Sequence, residues 1–157
     1  MQALIFIGLQ ASGKSTFYKE RFFDTHVRIN LDMLRTRNRE RLLLQPCLEM
    51  KQPFVVDNTN PTAADRARYI EAARHARFHV AAYYLQPDVP GSRARNDLRT
   101  GKARVPVLAI YGTAKRLQPP AWEEGFDAIY DVWAVEGGFR VEERVRGLEH
   151  QENPGYR

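Results

Sequence analysis

The chain has 157 residues, of which 43% are hydrophobic and 27% are charged, a composition typical of one globular domain. No apolar stretch approaches the roughly 20 residues that a membrane-spanning helix needs, and the single cysteine, Cys47, excludes an internal disulfide, so we expect a cytoplasmic protein without a membrane partner. The net charge of +5 favours anionic partners, although solubility alone explains it equally well.

The first half of the chain predicts strands that alternate with helices. An apolar run at residues 3–7 ends at Gly8 and predicts a buried parallel strand, and a helix is expected over about 13–24. A second strand over 27–30 leads into a long helical stretch, which we expect to run from 31 to about 51 without a break.

The second half continues this alternation and ends in a hairpin. Thr62 and Asp65 have the spacing of a capping box, which predicts a helix from there to about residue 77. The other predicted elements are strands over 54–57, 78–85 and 127–135, a basic helix over 92–101, a helix from Pro106 to about 117, and a hairpin of Gly137-Gly138 with 139–141.

This alternation predicts an α/β fold with three α/β/α layers and a mostly parallel, five-stranded sheet. Residues 1–148 are expected to form one domain with a short basic lid at about 90–105, followed by a polar tail over 149–157. Ligands of such sheets bind at the carboxyl ends of the strands. Gly8, Asp32 and Asp57 all fall at such ends, so we expect the site there.

Residues 8–15, Gly-Leu-Gln-Ala-Ser-Gly-Lys-Ser, have the spacing G-x-x-x-x-G-K-S between a strand and a helix. In such a loop the glycines let backbone N–H groups surround the β-phosphate, the lysine reaches the β- and γ-phosphates, and the serine hydroxyl ligates Mg²⁺. We therefore predict a P-loop NTPase of the adenylate-kinase-like type that binds a nucleoside triphosphate with Mg²⁺. The predicted ATP-binding residues here are Gly8, Gln10, Ala11, Ser12, Gly13, Lys14, Ser15 and Thr16.

A phosphate loop alone leaves GTPase, ATPase and kinase open. The guanine-reading motif N-K-x-D does not occur in the sequence, and a motor ATPase usually needs a longer chain. A small chain with a basic segment late in the sheet suits a phosphotransferase, in which a lid closes over the phosphates. The pattern therefore favours a kinase.

Asp32 falls just past a strand end, and Arg35 follows one helical turn later on the same face. A kinase needs a carboxylate to take the proton of the acceptor hydroxyl, and an arginine can hold a phosphate already on the acceptor. The same spacing also fits a helix cap with a surface partner.

Two further segments have both a structural and a catalytic interpretation. The run Asp57-Asn58-Thr59-Asn60-Pro61 consists of residues that form turns and caps, and it also falls where an acceptor hydroxyl or Mg²⁺-bound water would lie. Arg95 and Arg99 are one helical turn apart in a basic segment, which suits either a solvated helix face or a clamp on the β- and γ-phosphates.

Taken together, these motifs resemble the P-loop polynucleotide 5′-kinase family, the kinase half of nucleic-acid end-healing enzymes. The resemblance covers about residues 5–130. Neither D-x-D-x-T nor K-x-D-G occurs, so we expect a kinase-only form. The motifs are Ile29-Asn30-x-Asp32-x-x-Arg35, the run 54–61 with Arg66-Ala67-Arg68-Tyr69, and Arg95-Asn96-x-x-Arg99 with Lys102-Ala103 and Val105-Pro106.

The resemblance implies ATP-dependent transfer of the γ-phosphate to the 5′-hydroxyl end of DNA or RNA, with Asp32 as general base and Lys14 and Arg99 as further catalytic residues. It also implies that Arg95 and Arg99 contact ATP, that Arg35, Asn58 and Thr59 bind the acceptor, that Ser15 holds Mg²⁺, and that Asp57 acts on the metal through water. The alternatives are a kinase of a sugar, nucleoside or antibiotic, and a nucleotide-binding module without catalysis.

Overall fold

A computed structural model describes residues 1–147, so the predicted polar tail at 149–157 lies outside the described residues. One sheet of six strands is covered by helices on both faces. The strands are β1 (Gln2–Ile7), β2 (Val27–Ile29), β3 (Phe54–Val56), β4 (His79–Leu85), β5 (Ala128–Val135) and β6 (Gly138–Glu143). The helices are α1 (Lys14–Arg21), α2 (Leu31–Leu34), α3 (Arg37–Glu49), α4 (Ala63–His75), α5 (Val89–Asp97) and α6 (Val107–Arg116).

The strands lie in the order β2-β3-β1-β4-β5-β6, with β1 to β5 all parallel. In the central strand, Leu4 pairs with Val55 on one side and with Ala81 on the other. The sheet has six strands rather than the five predicted, because the hairpin strand β6 pairs antiparallel along β5. The carboxyl ends of β1, β2 and β3 therefore meet at one edge.

Both faces of the sheet are buried, because side chains alternate along each strand. Ile5 and Ile7 of β1 belong to a core that includes residues of α3 and α4. Leu4 and Phe6 belong to a second core, formed with α1 and β6. The predicted three-layer α/β/α fold is confirmed.

The continuous helix predicted over 31–51 is wrong, because the chain turns between α2 and α3. Arg35 ends α2 with a φ of 75°, and the Thr36 side chain then caps α3 by accepting from the Arg39 backbone N–H. Asn30 caps α2 by accepting from Met33 N–H. The cap of this helix is therefore Asn30, which leaves the Asp32 carboxylate available for another role.

Helix α5 also differs from the prediction. It begins at Val89 rather than at residue 92, because the Asp88 side chain caps it by accepting from Gly91 N–H. It ends at Asp97, so Arg99 lies beyond the helix. The capping box of Thr62 and Asp65 at α4 is confirmed. No helix within residues 1–147 is long and apolar enough to cross a bilayer.

A buried ion pair connects α4 to the segment before β5. The fully buried Arg66 guanidinium donates to the two carboxylate oxygens of Glu124 at 2.7 and 2.8 Å. It also donates to the backbone oxygens of Asn60 and Gln118. Because Asn60 belongs to the turn after β3, this pair also fixes the backbone beside the site.

Replacing Glu124 by alanine should lower the free energy of unfolding by about 3 kcal/mol, because the Arg66 charge would stay buried without a carboxylate. Denaturant unfolding followed by circular dichroism measures the change. The matched control is Glu123→Ala, since Glu123 is the exposed neighbour and its loss should cost less than about 0.5 kcal/mol. Equal costs for the two variants would contradict a stabilising role of the buried pair.

Candidate active site

The phosphate loop connects β1 to α1, and two of its positions require glycine for steric reasons. Gly13 has a φ of 96°, and a Cβ there would also lie 3.2 Å from the Phe139 ring. A Cβ on Gly8 would lie 2.9 Å from Ser12 Oγ. Gly8 N–H donates to the Thr59 backbone oxygen at 3.1 Å, which fastens the loop to the turn after β3. The loop conformation is therefore set at both ends.

Lys14 lies buried inside this loop. Its Nζ donates to the backbone oxygens of Gly8 at 3.1 Å and Leu9 at 2.5 Å. Burial lowers the pKa of Lys14 from 10.5 to about 8, an effect that Asp57 and Asp32 oppose and Arg99 reinforces. The charge of Lys14 therefore interacts with Asp57, Asp32 and Arg99, so these four groups lie in one electrostatic site.

Ser15, Asp57 and Arg28 form a hydrogen-bonded triangle beside Lys14. Ser15 Oγ donates to Asp57 Oδ2 at 3.0 Å, and Arg28 donates from Nε to Asp57 Oδ2 and from Nη2 to Ser15 Oγ, each at 2.8 Å. The Asp57 side chain is only 1% exposed. No site role was predicted for Arg28. The pattern that points to it is one charged residue between the apolar Val27 and Ile29 of a three-residue strand.

Asn58 is held by a buried polar network. Its Oδ1 accepts from Leu31 N–H at 2.9 Å, and its Nδ2 donates to Glu40 at 3.2 Å. The buried Glu40 carboxylate also accepts from Arg37 and from the Tyr69 hydroxyl, both at 3.0 Å. Burial raises the pKa of Tyr69, so it remains a donor. Asn58 thus holds the first residue of α2, the helix that carries Asp32.

The predicted lid corresponds to α5 and the segment that follows it. Asn96, fully buried, donates to the Val105 carbonyl at 2.8 Å and accepts from Val105 N–H at 3.0 Å, which ties the two ends of this segment together. Arg99 lies on the tied segment. Because α5 ends before Arg99, the predicted shared helix face of Arg95 and Arg99 is wrong. Arg95 instead donates to the Ala11 carbonyl of the phosphate loop at 2.6 Å.

A cavity of about 810 Å³ brings most of the predicted site residues together. Gly8 is buried, Thr16 is exposed on α1, and Arg95 donates to the Ala11 carbonyl; these three residues do not line the cavity. The predicted residues that line it are Gln10, Ala11, Ser12, Gly13, Lys14, Ser15, Asp32, Arg35, Asp57, Asn58, Thr59 and Arg99. Arg28, Lys102 and Val105 line it too, and sequence reasoning gave them no site role.

The fold and this site define a P-loop domain of the kinase type. A family model described as AAA domain matches residues 4–120, and the chain belongs to this family. The chain is similar to the bifunctional polynucleotide phosphatase/kinase of Schizosaccharomyces pombe, with 27% identity over 135 residues. A protein of Acanthamoeba polyphaga mimivirus with the same bifunctional description is 28% identical over 138 residues. The predicted resemblance to polynucleotide kinases is confirmed.

Each of these matches covers 83% of this chain and 33% of the relative, so the chain spans about a third of the relatives' length. Among solved structures, the crystal structure of a gluconokinase from Sinorhizobium meliloti 1021 superposes with a TM-score of 0.59 at 19% identity. That match covers 84% of this chain and 82% of the gluconokinase. The likeness confirms the predicted P-loop kinase fold.

ATP binding should take up a proton near pH 8. Because the pKa of Lys14 is about 8 in the free protein and phosphate contact favours the charged ammonium, binding draws a proton from solvent. The uptake should be about half a proton per site at pH 8, should grow as the pH rises above that value, and should vanish near pH 6. Calorimetry in buffers of different ionisation enthalpy measures it.

The matched control is Lys115→Met, because Lys115 is an exposed lysine of α6. Its replacement should leave the proton uptake unchanged. Uptake that is absent in the unmodified protein, or that falls as the pH rises from 7 to 8.5, would contradict a lowered pKa of Lys14 in the free protein.

Proposed function

We propose that this chain is an ATP-dependent kinase that phosphorylates the 5′-hydroxyl end of DNA or RNA. The observation that carries the proposal is that one cavity of about 810 Å³ is lined by Lys14 and Ser15 of the phosphate loop as well as by Asp32 and Arg35. A phosphotransferase needs a donor half and an acceptor half within reach of each other. The two halves share this cavity.

The donor half suits a metal-bound nucleoside triphosphate. The loop from Gly8 to Ser15 offers backbone N–H groups to the phosphates. The Lys14 ammonium donates to oxygens of the loop, and phosphate oxygens could replace these acceptors. Ser15 Oγ and Asp57 Oδ2 are hard oxygen donors 3.0 Å apart, which suits Mg²⁺ held by the hydroxyl and, through water, by the carboxylate. Bound there, Mg²⁺ would supply positive charge to the β- and γ-phosphates.

The acceptor half contains a base and a cation. Asp32 would accept the proton of the acceptor hydroxyl while that oxygen bonds to the γ-phosphorus and the bond to the β-phosphate oxygen breaks. Arg35 would hold the phosphate on the 3′ side of the terminal nucleotide. Arg99, on the lid, would neutralise charge on the transferring phosphoryl group. The products are ADP and a 5′-phosphorylated end.

Three observations support a polynucleotide acceptor over a small molecule. The curated relatives are named polynucleotide phosphatase/kinases. The net charge of +5 suits a polyanion. A second cavity of about 360 Å³ shares Asp32 and Thr59 with the first, and Arg37 and Arg116 line it, where their charges suit further phosphodiester groups.

Replacing Asp32 by asparagine should reduce phosphate transfer from ATP to a 5′-hydroxyl oligonucleotide by about 100-fold or more, because the amide cannot take the proton. Its affinity for ATP should remain within about threefold, since Asp32 belongs to the acceptor half. Transfer of radioactive phosphate measures the rate, and calorimetry measures the affinity.

The matched control is Asp24→Asn, which changes an exposed aspartate of the turn after α1 and should transfer phosphate at the unmodified rate. Lys14→Ala and Arg99→Ala should both lose transfer. If the unmodified protein phosphorylates a sugar, nucleoside or antibiotic and no oligonucleotide, the polynucleotide acceptor is wrong. If Asp32→Asn transfers at the normal rate, the assignment of the base is wrong.

Arg35→Gly should separate the acceptor contact from the fold. Arg35 adopts a φ of 75°, which glycine accepts without strain. The free energy of unfolding of the variant should therefore be unchanged or higher by up to about 1 kcal/mol. Its KM for the oligonucleotide should rise about tenfold or more, because the guanidinium contact is lost. A lowered unfolding midpoint, or an unchanged KM, would contradict this division.

A further inference from the structure

The guanidinium of Arg28 is bonded to both groups that suit the metal. It donates to Ser15 Oγ and to Asp57 Oδ2 at 2.8 Å, and it lines the cavity. The Asp57 carboxylate is almost fully buried, and such a charge is costly unless a cation accompanies it. Arg28 is the cation that is bonded directly to this carboxylate.

Arg28 is held less firmly than Arg66 and Arg144, two arginines that also pair with buried acids. Arg66 and Arg144 each grip their carboxylate through two nitrogens and donate to backbone oxygens as well. Arg28 gives the Asp57 carboxylate a single nitrogen, and its side chain is 27% exposed. It projects from β2, an edge strand that pairs only with β3. The Arg28 guanidinium can therefore move away from Asp57 and Ser15 more easily than the Arg66 and Arg144 guanidinium groups can move away from their carboxylates.

A guanidinium in this position is incompatible with a divalent cation on the same two ligands. Mg²⁺ requires several oxygen ligands and keeps some of its waters, so a metal held by Ser15 Oγ and, through water, by Asp57 would compete with the guanidinium nitrogen on that hydroxyl. Two like charges in contact also repel strongly where solvent is scarce. One of the two cations must therefore leave when the other is present.

We propose that Arg28 is a positioning residue that takes the place of the metal in the nucleotide-free protein, and that its guanidinium turns into the cavity when the metal-bearing nucleotide binds. It holds the Ser15 and Asp57 side chains in position, and it disfavours binding of the free metal ion. This inference rests on the proposed function through the metal that accompanies the nucleotide.

The first test measures metal binding without nucleotide or acceptor. Free Mn²⁺ is counted by electron paramagnetic resonance during titration of the unmodified protein, Arg28→Met and Arg144→Met. Arg28→Met should bind Mn²⁺ about tenfold more tightly than the unmodified protein, because the competing charge is gone. The matched control, Arg144→Met, also uncovers a buried aspartate, Asp131, and should leave Mn²⁺ affinity unchanged.

The second test measures thermal unfolding in EDTA and with MgCl2, against NaCl at equal ionic strength. Arg28→Met should melt below the unmodified protein in EDTA and should regain several degrees with MgCl2 alone, because the metal then accompanies Asp57. Arg144→Met should melt early in all three conditions. If Arg28→Met shows no magnesium-specific recovery and no gain in Mn²⁺ affinity, the proposal is overturned.

If Arg28→Met does not fold, Arg28→Lys decides the question. Lysine keeps the charge but lacks the planar fork that reaches Ser15 and Asp57 together, so Mn²⁺ affinity should rise about twofold or more. Unchanged affinity in this variant overturns the proposal. The proposed function is tested separately. If the unmodified protein transfers no phosphate but Arg28→Met still binds Mn²⁺ more tightly, the kinase proposal is wrong. If phosphate transfer is normal but the Mn²⁺ affinity of Arg28→Met is unchanged, the proposed role of Arg28 is wrong.

Discussion

The parallel pairing of β1 with β3 and of β3 with β2 is the constraint on which the site depends. Parallel strands end at the same edge, so the phosphate loop after β1, the Asp32 helix after β2 and Asp57 after β3 emerge side by side. Two backbone contacts lock this arrangement, Gly8 N–H to the Thr59 oxygen and Asp57 N–H to the Ile29 oxygen. Residues far apart in sequence thereby share one cavity.

Two buried charges of the site, those of Lys14 and Asp57, are each compensated by neighbouring protein groups. Lys14 is buried against loop carbonyls with its pKa lowered to about 8, and the Asp57 carboxylate is buried beneath Arg28. Under the proposed function, the ligand's phosphates would replace the carbonyl contacts of Lys14, and its metal would replace the Arg28 contacts of Ser15 and Asp57.

The comparisons and the geometry support different parts of the conclusion. The fold is shared with a gluconokinase at 19% identity, so the fold leaves the acceptor open. The polynucleotide relatives match this chain over 83% of its length, and the acceptor half adds Asp32, Arg35 and an adjoining cavity with two arginines. The 5′-kinase proposal rests on the combination of these two lines.

The order of strands and helices, the phosphate loop and the Thr62 cap could all be predicted from the amino-acid sequence, because periodicity, glycine spacing and capping are local properties. Only the tertiary structure revealed the break at Arg35, the divergence of Arg95 from Arg99, and the partners of Arg28 and Asn58. Side-chain partners depend on contacts between segments distant in the chain, and the short helix that ends at Arg35 is itself held at Leu31 by the distant Asn58. Asn58 and Glu40, or Arg28 and Ser15, meet only once the sheet has formed.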